Sequence, residues 1–487
     1  MLLATKRRAN RFFALTAKRL SGRLRRVTHT ILSYVDFRKF SPKKRAHLVV
    51  NVIIGIAIVF CLQFLEQTRW GESTLDKFFD LFVRWESQRA AQYQSDVQKA
   101  PVLFVDIDHK TYQQWGEPPV TPRDKLAEIL GLLHDAQAKV IVLDILLEGN
   151  DCPPGSDREL LSVLERIEAD KRNATKVILP QRLGFQRTPK RNLFDALFDH
   201  GLLAGGSGDT ALYRAVPSLS TTSSDNVVRY WNLFEEFKDS DGRQKILWGY
   251  PIVTVLLAIE GNLNGLEPFQ KKLVGRAGGY TGHSELVRLR NGKTIKLPYD
   301  KAHLYLQRLR FLLVPEKPSP GDLPDGKTHT GGNLFQIAIK YGELEYYKEY
   351  FKDKIVIVGN SSPDAGDIHR TPVGDMAGMY ILGNSIYTIL AKEQPAPPPG
   401  WVSGIIEIVV IVSAAYLFLY FTSLLAQIIA SALILIVFGG LSYWYFLNTG
   451  VFLNFVFAVV GMSFHETLKD VEEILEHKGR IAYDRKK

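Results

Sequence analysis

Four stretches of the chain are predominantly apolar, and they divide it into parts. The first, residues 48–65, reads LVVNVIIGIAIVFCLQFL and carries no charge. The others are residues 401–421, 424–447 and 450–465, crowded together after the long polar middle of the chain. At about 1.5 Å per helical residue, a window of this length is just enough to cross a hydrocarbon core of about 30 Å. The pattern predicts four transmembrane helices, one before residues 66–400 and three after them. The last is short, but its apolar character resumes directly after an Asn-Thr-Gly turn.

Between the first two windows the pattern changes to short apolar runs separated by amphipathic ones. VLFVDID (102–108) and DKIVIVGNSS (353–362) hold short apolar runs that give out in polar residues, and KVIVLDILL (139–147) holds another. RDKLAEILGLLHDAQA places Leu126, Ile129, Leu130 and Leu133 at helical spacing. Strands that are apolar on both faces, alternating with helices, predict a largely parallel sheet covered on both sides, hence an α/β domain. In such domains ligands bind in the loops that follow the strands.

Charge orients the arrangement. The chain of 487 residues is 46% hydrophobic and has a net charge of +10, yet the first 46 residues alone hold fourteen Lys or Arg and a single acid, Asp36. The basic excess belongs to residues 1–47 and says nothing for nucleic-acid binding by the rest. By the positive-inside rule this segment is cytoplasmic. Residues 66–400 are then exported, and the tail 466–487 returns to the cytoplasm. That layout is a multi-pass membrane chain with its large domain on the outer side. Within the basic segment Phe13, Ala17, Leu20, Leu24, Val27, Ile31 and Tyr34 form an apolar seam, fit to lie on the inner leaflet or against a partner helix. Leu468, Val471 and Leu475 could pack similarly in the tail. Glu407 falls only five residues inside the outer end of the second window, which suits an interfacial or protonated carboxyl better than a proton relay. Residues 395–400, PAPPPG, read as a stiff connector. Cys61 and Cys152 lie in different compartments, so neither a disulfide nor a cysteine metal site is expected.

Several segments of the exported region taken together resemble the type 2 CHASE domain, an extracytoplasmic sensory domain of bacterial cyclases, histidine kinases and related receptors. VLFVDIDHKTYQQWGEPPVTPRDKLAEIL is similar to its opening strand, Trp-Pro loop and helix, and AKVIVLDILL to its second strand. DNVVRYWNLF resembles its Asp-Gly-Val-Val-Arg segment, with Asn226 in the glycine place. DKIVIVGNSSPDAGDIHRTPVGDMAGMYILGNSIYTIL resembles its closing strand, acidic loop, Thr-Pro element and last helix. One window before the domain and three after it is also that family's layout. Where the family commonly has a His-Ala pair in the last helix, this chain has Leu382 and Gly383. Residues 181–200 and 262–330 look divergent or inserted. The resemblance implies a sensor, and after the last window only about 23 residues follow where such receptors carry a catalytic domain. A sensor or signal-transducing subunit acting through partner proteins is therefore the expected function. The alternative is a structural component of an envelope complex. Membrane lipids and effector or envelope proteins are the expected partners, with a homo-oligomer compatible and no nucleic acid.

The candidate chemistry sits at the strand ends. Asp106 and Asp108 imitate the Asp-x-Asp of haloacid-dehalogenase-like phosphatases, which also use a later Gly-Asp loop for magnesium. Here Asn360 follows Gly359 and Lys110 stands two beyond Asp108, so a phosphatase is a distant third reading, and no catalytic residue, metal or cofactor is expected. Asp106, Asp108, Asp144, Arg229, Asp364, Asp367 and His369 remain as candidate ligand-binding residues. The competing reading gives the aspartates helix-capping and loop-fixing roles and gives Arg229 a structural ion pair.

Overall fold

A computed structural model describes residues 69–91, 102–147, 153–183, 210–217, 219–220, 225–238, 244–274, 285–297, 306–313, 338–340, 344–345, 348–391 and 424–453, with 395, 402, 405–406 and 408–409. The basic arm with Phe13, Leu20, Leu24, Val27 and Ile31, the tail with Leu468 and Leu475, Glu407, and the first and fourth apolar windows lie outside the described residues, except for Gly450–Leu453 of the fourth.

Six parallel strands make the central sheet, in the order β12 (Ala338–Lys340), β1 (Val102–Ile107), β13 (Ile355–Asn360), β2 (Val140–Asp144), β3 (Lys176–Pro180) and β4 (Leu212–Ala215). The apolar runs seen in the sequence supply the three middle strands, and both faces of each are covered. Leu103, Val105, Ile141, Leu143, Val356 and Val358 pack with α3 (Arg123–Asp135) and α4 (Ser156–Ala169). The alternate residues Val102, Phe104, Val140, Val142, Ile355 and Ile357 pack with α5 (Tyr250–Glu260) and α7 (Gly378–Ala391). Strands that bury both faces need apolar residues at every position, which is why no alternation is visible.

A second core layer surrounds the α5/α7 face. It contains the antiparallel pair β7 (Phe234–Lys238) and β8 (Gln244–Trp248), the small sheet of β5 (Leu219–Ser220), β6 (Tyr230–Asn232) and β11 (Leu306–Arg308), and the hairpin β14 (Ile368–Thr371)–β15 (Gly374–Ala377) that leads into α7. The Leu382-Gly383 departure has a packing reason here. A Cβ on Gly383 would meet Phe104 Cζ, and Phe104 in turn meets Tyr380 edge-on at 5.1 Å, so the aromatic ring fills the space an alanine methyl would need.

Helix α1 (Arg69–Ala91) belongs to this same compact unit, as do residues Ser442–Leu453. Its buried stripe includes Phe79, Phe82 and Val83. Phe79 and Phe82 pack edge-on against Phe446 and Phe452, at 5.2 Å for Phe79–Phe446 and 5.3 Å for Phe82–Phe452. The helix from which Phe446 projects, α8 (Leu424–Thr449), runs 26 residues without a charged side chain. Many side chains of its first half are outside the description, and among the described residues no helix is long and apolar enough to cross a membrane.

Candidate functional site

Strand register brings two acids to the same level. Asp106 on β1 and Asp144 on β2 flank Gly359 of β13, Asp106 pairing with Gly359 and Gly359 with Asp144. Both follow apolar residues that face α5 and α7, so both carboxyls point to that side. Gly359 admits Met379 of α7, whose Cβ would stand 2.6 Å from any Cβ placed there. The start of α7 therefore sits directly over the pair.

The two acids meet different surroundings. Asp106 is buried, accepting hydrogen bonds from the Ser361 amide (3.1 Å), the Ser361 hydroxyl (2.7 Å) and the Tyr380 hydroxyl (2.8 Å). Burial raises its pKa to about 6 against the opposing pull of these bonds. Asp144 opens instead onto a cavity of about 640 Å³ at the carboxyl edge of the sheet. Burial, and then the charge of Asp367, raise the Asp144 pKa to about 7, while His369 opposes. His369 binds Asp367 Oδ1 through Nε2 at 2.8 Å, and this contact raises the imidazole pKa. Tyr250, at the start of α5, donates its hydroxyl to the Leu143 carbonyl at 2.6 Å beside Asp144.

The cavity wall is completed by Trp231, Glu235, Tyr112, Arg182, Leu382 and the proline pair Pro118–Pro119 of the Trp-Pro loop. Gly378 closes one side so tightly that a Cβ there would fall against the Asp367 carboxylate. Of the sequence candidates, Asp144, Asp364, Asp367 and His369 gather at this cavity. Asp364 meets His109 Nδ1 at 3.0 Å at its exposed rim. Asp106 and Asp108 are not among the described residues that line it. Asp108 caps α2 (His109–Gln114), accepting from the Thr111 amide at 2.8 Å and the Thr111 hydroxyl at 2.7 Å. Among the described residues, no group of three or more His, Cys, Asp or Glu is placed to hold a metal ion.

Arg229 is elsewhere. Its guanidinium is buried between Asp80 of α1, at 2.7 Å, and Asp225, at 2.8 Å. Burial alone would lower its pKa, but these carboxylates raise it. The sequence singled out neither Trp231 nor Tyr250: Trp231 stood only within the segment that resembles the family's Asp-Gly-Val-Val-Arg element, and Tyr250 lay in no motif.

A doubly wound parallel sheet with a polar-rimmed, aromatic-walled cavity at its carboxyl edge is the architecture of α/β ligand-binding domains. The CHASE2 domain model matches residues 52–420, from inside the first apolar window to inside the second, and the chain belongs to that family. CHASE2 domains are extracytoplasmic sensory domains of signalling proteins. Comparison with curated proteins and with solved structures gave no match.

Proposed function

We propose that this chain is a membrane-anchored sensor whose exported α/β domain binds a small ligand in the carboxyl-edge cavity and passes the change through its spans to partner proteins. The observation that carries the reading is the set Asp144, Asp367 and His369, brought from two strand-end loops to one cavity wall. A carboxyl raised to about 7 at such a place is a group that a cationic ligand would ionise, and perturbed carboxyls gather at functional sites. Acids outnumber bases along the wall, Asp144, Glu235, Asp364 and Asp367 against Arg182 and His369, which favours a cationic ligand with an apolar body for the aromatic side. The four apolar windows are the anchor in this reading. It is supported by the packing of Phe446 and Phe452 on α1, which puts the turn between the third and fourth windows with the domain that follows the first, as four crossings require.

The domain is not an enzyme in this reading. Asp106 is spent on Ser361 and Tyr380, and Asp108 on a helix cap, so the two carboxylates do not converge on a common reacting atom. The test is to incubate the purified full chain with a polar metabolite extract and identify what co-elutes by mass spectrometry. Wild type should retain a small cationic compound that an Asp144→Asn, Asp367→Asn variant loses. Equal recovery from both would place the sensed site elsewhere and favour the envelope-scaffold alternative.

A further inference from the structure

Helix α1 sorts its charges by face. Its acids Asp76, Asp80 and Glu86 are buried and held by arginines from later in the chain: Arg308 at 2.6 Å on Asp76, Arg229 at 2.7 Å on Asp80, and Arg310, whose Nε donates to Glu86 at 2.9 Å. The exposed face carries Lys77, Arg84 and Arg89 beside Phe78, Leu81 and Trp85, with no acid among its described residues. Phe78, Leu81 and Trp85 are spaced three and four apart, which sets them in one stripe. Trp85 also meets Tyr443 edge-on at 5.5 Å, next to Trp444, which is 64% exposed.

We propose that this face of α1 lies on the anionic headgroup surface of the membrane, as an interfacial helix rather than as part of the free surface of the domain. The proposal rests on the four-span reading, which fixes the depth. A helix that enters the hydrocarbon at Leu424 uses about 20 residues to cross about 30 Å, so it emerges near Tyr443 and Trp444. Whatever packs on those residues sits at headgroup level, and Phe82 and Trp85 do so, Phe82 also reaching Phe446. Aromatic rings collect at that level, and a basic rim beside them complements anionic lipid. A face whose described charges are all basic complements a phosphate-bearing surface.

The full chain, with Cys61→Ser and Cys152→Ser, would carry a spin label at Phe78→Cys or, as a control, at Leu286→Cys, which is exposed on β9 (Glu285–Arg288). It is reconstituted in phosphatidylcholine–phosphatidylglycerol vesicles containing a nickel-chelating lipid. Relaxation by the lipid-bound nickel should be several-fold stronger at 78 than at 286, and it should fall when Lys77→Glu and Arg89→Glu are added. Relaxation at 78 by water-soluble nickel alone overturns the proposal. So does dipolar broadening between labels at 78 on two copies, which would make the face a dimer contact. Alkaline carbonate extraction separates the two levels of failure: release of the chain defeats the four-span reading, whereas retention with a water-exposed label at 78 defeats the interfacial helix alone.

Discussion

Asp144 and Asp106 show how one residue type at equivalent strand positions takes two roles. A carboxyl raised from 3.8 to about 7 holds its proton in the folded state over a range where the unfolded chain has lost it. Its contribution is thus greatest at low pH and declines as pH rises from about 4 to about 7. Asp144→Asn should flatten that decline and raise stability at pH 8 by about 1–3 kcal/mol, since each pKa unit is worth about 1.4 kcal/mol and cavity water screens part of it. Thermal unfolding of both proteins across pH 4–8 checks this, and a parallel pH dependence in the two would contradict it. For Asp106 the hydrogen bonds decide. Asp106→Ala orphans the Ser361 amide and two hydroxyls and should cost about 1–3 kcal/mol, whereas Asp106→Asn, which keeps an acceptor, should cost less than half of that. The sequence showed both acids at the ends of apolar runs, and Asp367 and His369 as neighbours in one loop. It could not show that Ser361 and Tyr380, 255 and 274 residues away, take up Asp106 while Asp144 is left to the cavity, because that choice is made by strand order.

Among the elements, strands β1, β2 and β13 of the central sheet were legible because burial on both faces writes itself as apolar runs, whereas β3, β4 and β12 of the same sheet were not. Nor was helix α1. No local signal marks its acids as buried, because their partners Arg229, Arg308 and Arg310 stand 149, 232 and 224 residues away. The exchange is costly to undo: Arg310 is fully buried, so Glu86→Gln leaves a guanidinium without its counter-charge and should destabilise the protein by about 3–5 kcal/mol. Replacing both partners together, Glu86→Met with Arg310→Met, should recover most of that loss in denaturant unfolding. If the double variant is as unstable as the single, the pair does more than neutralise itself. On α7, Gly383→Ala should cost about 1–3 kcal/mol through its clash with Phe104, an overpacking effect seen as a lowered Tm.

At the scale of the whole molecule, the charge bias before residue 48 and the windows after residue 400 set the expected topology, and the parallel heart of the domain between them follows from pattern, whereas its antiparallel second layer does not. Nor does the cavity wall, because Trp231 and Tyr250 reach it from segments whose pairing no local signal announces. Reporter fusions at Lys99 and after Lys487 should report opposite sides of the membrane, and agreement between them would refute the four-span arrangement. The cavity carries one more consequence. In the proposed topology the domain faces the medium outside the membrane, so Asp144 follows the pH of that medium and takes up its proton as the medium acidifies. Binding measured at a single pH therefore samples one charge form of the cavity, and a screen run only in alkaline buffer would miss any ligand that the acidified form retains.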